Sequence, residues 1–84
     1  MSNTLRQARA RCRAQGRNLL EQRRICHLDP THHSDGCGYF KGKYAYLQVD
    51  CREVRGRPRC RLSIYDHYSG DLLYSTTCPQ KREA

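Results

Sequence analysis

The sequence predicts a small α+β domain: an N-terminal helix packed on a three-stranded antiparallel β-meander, stabilised by cysteines. Three observations carry that expectation. Apolar residues in the first third recur at helical spacing. From Tyr39 onward, aromatic and β-branched residues are bounded by turn signals. Six cysteines accompany an apolar content too thin to hold a fold alone, since Leu, Ile, Val and Phe together number thirteen in 84 residues. That is under roughly a fifth of the chain, the level below which a highly charged sequence is expected to stay disordered. A chain of this length is one domain at most, and small domains with thin cores commonly rely on disulfides, a structural metal or a partner subunit.

The helix is expected over about 4–28. Thr4 followed by Gln7 makes a capping box. Leu5, Cys12, Leu19 and Cys26 recur at intervals of seven, with Ala8 on the same face. Arg6, Arg9, Arg13, Arg17 and Arg24 form a second stripe about a third of a turn away. One face can dock on a core while its neighbour presents guanidiniums. The heptad stripe equally suits a homodimer through paired helices. Gly16 is the weak point, costing about 1 kcal/mol relative to Ala, and a bend or split is expected there. In an unbroken helix Cys12 and Cys26 stand about 21 Å apart. A disulfide needs Cα atoms within roughly 7 Å, so these two are expected to take different partners.

Residues 27–38 read as a Cys/His loop, punctuated by Asp29-Pro30, Asp35-Gly36 and Gly38. Strands follow at about 43–54, 59–67 and 71–78, with turns at Arg55-Gly56-Arg57-Pro58 and Tyr68-Ser69-Gly70, and a charged, frayed tail from Pro79. Alternation places Ala45, Leu47, Val49 and Cys51 on one face with Cys60, Leu62 and Ile64, under the helix. The other face carries Tyr44, Tyr46, Gln48 and Arg52, then Arg59, Arg61, Ser63, Tyr65 and His67. A three-residue loop with Gly70 left-handed sets Ile64 opposite Tyr74 and Cys60 opposite Cys78. A two-residue Arg55-Gly56 turn sets Cys51 opposite Cys60 instead. Only one of these cysteine pairings can be a disulfide.

Two constellations carry chemistry. Cys26, His32, His33 and Cys37, with His27 beside them, place soft-metal ligands within one loop. They suit one structural zinc, with tetrahedral thiolate and imidazole ligands, or else disulfides among polar histidines. The spacing lacks a Cys-x2-Cys knuckle. The second constellation is the tyrosine–arginine sheet face. Tyrosine rings offer platforms for unstacked bases and neighbouring guanidiniums neutralise phosphate. Tyrosine is also simply a good strand former.

The formal charge of +8 comes mainly from thirteen arginines. It points to a polyanionic partner, either nucleic acid or an acidic protein. Catalysis is not expected. His32 or His33 with His67 could in principle form an acid–base pair, but nothing in the sequence brings them together, and no triad or carboxylate pair stands at informative spacing. No apolar run is long enough to span a bilayer.

The stretch Leu62-Ser63-Ile64-Tyr65-Asp66-His67-Tyr68-Ser69-Gly70-Asp71-Leu72-Leu73 resembles the hairpin of PepSY-type domains, where a strand, an Asp, a short turn ending in Thr/Ser-Gly and a second strand follow a helix. The resemblance covers a dozen residues. The cysteines and the positive charge depart from that family, and no function is carried over.

The expected function is a non-enzymatic nucleic-acid-binding module for RNA or single strands. Arg6, Arg9, Arg13, Arg17, Arg52, Arg59 and Arg61 would meet phosphates, and Tyr44, Tyr46 and Tyr65 would stack. The alternative is a secreted, disulfide-stabilised effector or toxin acting on a protein or membrane target. As written, with no signal peptide visible, the chain reads as cytoplasmic or nuclear. It reads as secreted if residue 1 is not its natural start.

Overall fold

The computed structural model describes residues 2–21 and 35–78, with side chains from residue 5 onward. One helix, α1 (Ser2–Leu19), precedes four strands: β1 (Gly36–Phe40), β2 (Lys43–Val54), β3 (Arg57–Asp66) and β4 (Leu72–Thr77). The strands form one antiparallel sheet in the order β1-β2-β3-β4, and α1 packs on β2 and β3. The α+β class is as the sequence implies, with one more strand.

That extra strand, β1, corrects the expected meander of three. The sequence suggests a loop through 36–38 because two of those residues are glycines, which strands disfavour. Tertiary pairing overrides that preference. Gly36 to Phe40 pair with Leu47 back to Lys43 through a two-residue turn at Lys41-Gly42. On its other edge, Tyr39 and Glu21 exchange backbone hydrogen bonds at 2.8 and 3.3 Å. Gly38 permits this approach, because a Cβ there would lie 2.7 Å from the Glu21 carbonyl oxygen.

The helix is shorter than expected. It ends at Leu19, where the Leu20 N–H donates back to the Arg17 carbonyl and the backbone turns towards β1. Gly16 does not split it, since α1 runs unbroken through that position. A Cβ at Gly16 would stand 2.6 Å from both methyl carbons of Leu47, so the glycine lets α1 settle directly onto β2. Leu19 is 41% exposed while Leu20 is buried in its place. The expected residues 22–28 of the helix, the Thr4 side chain and the tail from residue 79 lie outside the described parts.

Alternation places the core as the sequence implies. Ala45, Leu47 and Val49 of β2 and Cys60, Leu62 and Ile64 of β3 are buried against Ala8 and Cys12. Cys12 and Ala8 belong to the stripe that could have paired two helices; here they pack on the chain's own sheet. The staples are part of this core, with Cys12, Cys60 and Cys78 buried in it and Cys51 packed against it. Cys12 is bonded to Cys78 and Cys51 to Cys60. Cys37 is disulfide-bonded as well.

The two-residue turn occurs as expected. The β3–β4 loop is four residues, 67–70, and not three, because a bulge at Ile64/Tyr65 shifts the register and the Asp66 N–H donates to the Asp71 carbonyl at 2.8 Å. Cys51 pairs with Cys60 across the two-residue Arg55-Gly56 turn, whose φ angles of 56° and 77° are left-handed at both positions. Ile64 faces Tyr74 and Leu62 faces Thr76, with Gly70 left-handed, and the Cys78 N–H donates to the Cys60 carbonyl at 2.9 Å. Cys78 therefore lies beside Cys60 but forms its disulfide with the helix, leaving Cys60 to Cys51.

Candidate nucleic-acid interface

The face of the sheet away from α1 is divided along its length. At one end stand rings. Tyr46 stacks on Tyr65 with centroids 5.3 Å apart, and Tyr44 stacks on His67 at 4.5 Å. Tyr39 and Tyr68 lean on Tyr44 at 5.4 and 6.0 Å. Each stacked pair joins neighbouring strands, which is how aromatic residues add stability to a pleated surface. The expected platform of Tyr44, Tyr46 and Tyr65 is thus present, but these rings use faces on one another and are half-buried. Tyr68, at the β3–β4 turn and 83% exposed, is the open ring.

A polar row follows, with Gln48 opposite Ser63 and Ser63 opposite Ser75. The two serine hydroxyls lie 3.4 Å apart and Arg61 Nε donates to Ser75 Oγ at 3.0 Å.

At the other end stand arginines. Asp50 is opposite Arg61, Arg52 opposite Arg59 and Val54 opposite Arg57, with Arg55 at the turn itself. All five arginines are exposed. Tyrosines and arginines are therefore segregated along the strands rather than interleaved. Arg55 and Arg57 join this surface although the sequence places 55–58 in a turn and gives them no role. The available signal is arginine at every second position through 55, 57, 59 and 61, since period two puts 57, 59 and 61 on one strand face.

The hairpin carries an open cleft of about 410 Å³ lined by Asp50, Cys51, Arg52, Arg59, Cys60, Arg61 and Thr77. A second, shallower groove is lined by Leu5, Arg6, Arg9 and Cys51. Because Cys51 borders both, Arg6 and Arg9 lie beside the helix-facing side of the hairpin near its turn end, where the opposite face holds Arg52 and Arg59. The helix arginines separate there. Arg13 Nε lies 3.6 Å from Asp35 Oδ1, and Arg17 Nε and Nη2 both donate to the Asp35 carbonyl at 3.3 Å. The other Asp35 oxygen accepts the Val49 N–H at 2.8 Å. These two arginines tie β1 to α1, and their guanidiniums are engaged within the chain.

At the aromatic end, Asp66 organises the β3–β4 turn. Its Oδ1 accepts the Tyr68 and Ser69 amides at 2.8 and 3.1 Å. These two hydrogen bonds, Ser69's first, hold its carboxyl below the usual aspartate value.

Of the candidate zinc ligands, Cys26, His32 and His33 lie outside the described residues, and Cys37 is disulfide-bonded rather than a thiolate. Among the described residues no group of three or more His, Cys, Asp or Glu could hold a metal ion. His67 packs against both the Tyr44 and the Tyr68 rings, which also meet each other. No described helix is long and apolar enough to cross a membrane. No protein-family model, curated protein or solved structure matches the chain.

Proposed function

We propose that the protein is a small, non-enzymatic nucleic-acid-binding module that engages RNA or single strands through the arginines of the β2–β3 hairpin. The observation that supports this reading is the hairpin's charge: five exposed arginines, at 52, 55, 57, 59 and 61, against Asp50 and Glu53. Guanidiniums spaced along two strands can follow a phosphate backbone and release its counterions. Arg6 and Arg9 extend that surface around the edge of the hairpin at Cys51. Tyr68 is the ring available to stack on an unpaired base; Tyr44, Tyr46 and Tyr65 contribute a rigid floor beside it.

The test is fluorescence anisotropy of a labelled single-stranded RNA in non-reducing buffer. Five phosphate contacts imply a log–log salt slope of about −3.5, so affinity should fall about 100-fold between roughly 50 and 200 mM salt. Absence of binding at the lower salt would overturn the reading.

A second reading, a secreted disulfide-stabilised effector acting on a protein or membrane target, is favoured by the bonded state of Cys12, Cys37, Cys51, Cys60 and Cys78. Such crosslinks persist in oxidising compartments. They bear on compartment rather than ligand, which is why the arginine hairpin decides the order of the two. The effector reading expects binding to acidic proteins or anionic vesicles and none to oligonucleotides.

A further inference from the structure

The geometry points to a phosphate-group clamp formed by Arg52 and Arg59 in the hairpin cleft, with Arg61 at its rim. This inference rests on the nucleic-acid reading and assigns the cleft as the place where one backbone phosphate is held. Arg52 and Arg59 are direct cross-strand partners, so their Cβ atoms stand about 5 Å apart on one face. Like charges in that position destabilise a sheet. Among the described residues neither guanidinium makes a hydrogen bond or ion pair within the chain. Arg61, two residues along β3 from Arg59, is already oriented by Ser75.

The cleft they line has room for a phosphate group and its first waters. Its three guanidiniums face one carboxylate, Asp50, which lies opposite Arg61 rather than between Arg52 and Arg59. An anion seated between the two unpaired arginines converts a repulsive pair into two charge-assisted, bidentate contacts. The Cys51–Cys60 disulfide, on the opposite, helix-facing side of the sheet, covalently joins the residues next to the pair, so the spacing is set before a ligand arrives.

The test follows the arginine Nε–Hε resonances by NMR while inorganic phosphate, and separately a single-stranded RNA, are added to the oxidised protein. Phosphate should shift Arg52 and Arg59 saturably and leave Arg55 unmoved. It should also raise the melting temperature of the wild type but not of Arg52→Gln or Arg59→Gln. Either substitution should weaken RNA binding about tenfold, more than Arg55→Gln does. Without phosphate, both variants should melt no lower than the wild type, because each removes a like-charge contact; a purely structural arginine would lower the melting temperature instead. If RNA binds but phosphate gives no saturable shift, and all three variants lose affinity equally, the clamp is refuted and the proposed function survives. Phosphate shifts with no RNA binding would support the clamp and refute the nucleic-acid reading.

Discussion

Gly16 shows how a residue that weakens its own helix can strengthen the molecule. Alanine there would add about 1 kcal/mol of helix propensity. Its methyl group would also meet Leu47 at 2.6 Å, and Leu47 is fully buried between α1 and the sheet. Overpacking a core usually costs roughly 1–3 kcal/mol, so Gly16→Ala should be net destabilising by about 1 kcal/mol in urea unfolding. Stabilisation by the full propensity gain would show that the helix does not press on Leu47. Asp66 makes a prediction of a different kind. Its folded-state value is lowered by two backbone amides, so its contribution is fully present above the ordinary aspartate value of 3.8 and is lost as pH falls through the lower folded value. The protection of the Tyr68 and Ser69 amides against exchange, taken relative to the intrinsic rate at each pH, should therefore fall as pH drops below 3.8. In Asp66→Asn, which keeps an acceptor but does not titrate, that pH step should vanish.

The hairpins belong to the next scale. Both two-residue turns, Lys41-Gly42 and Arg55-Gly56, put a basic residue at a left-handed first position, with φ of 51° and 56°. Asparagine or glycine is easier there. Arg55→Asn should accordingly stabilise the protein by about 0.5 kcal/mol while weakening RNA binding severalfold, a trade-off readable from one melt and one titration. Retained stability with unchanged RNA affinity would remove Arg55 from the interface.

Strands β2 and β3 are legible in the sequence because their apolar residues alternate and Gly56 marks their turn; β4 is legible from Gly70 before it, although Leu72-Leu73 leaves its inward face ambiguous. Strand β1 is not, because Gly36 and Gly38 have no side chain to advertise a strand, and because its partners are Leu47 in the next strand and Glu21 at the helix end. The tethering of Arg13 and Arg17 by Asp35 is hidden for a similar reason: the Arg17 contact already joins residues 18 positions apart, beyond any local pattern. The exposed basic positions 52, 59 and 61 are visible because strand period two sorts them onto one face.

Taken whole, the molecule has a small core with crosslinks built into it and a surface polarised between rings at one end and arginines at the other. Two of its disulfides differ in what they close. Cys12–Cys78 spans a sequence separation of 66, whereas Cys51–Cys60 spans 9. Chain-entropy reasoning gives about 4 kcal/mol for the first and about 2.5 kcal/mol for the second. The paired substitution Cys12→Ser with Cys78→Ser should thus lower stability more than Cys51→Ser with Cys60→Ser, as measured by denaturant midpoint. Equal losses would mean that the long crosslink does not constrain the unfolded chain.

On the proposed function, the β2–β3 arginines, and not the net charge at large, hold the ligand. The salt dependence of RNA binding, compared between the wild type and two triple variants, separates these. One neutralises Arg52, Arg57 and Arg59 to Gln; the other neutralises Arg11, Arg13 and Arg17, which are on α1 away from the hairpin arginines. Both remove the same charge. The hairpin variant should lose about two units of log–log slope, roughly 0.7 for each phosphate contact, while the helix variant keeps most of the wild-type slope. Equal slopes in the two variants would mean that charge alone drives binding and that the hairpin is not the interface.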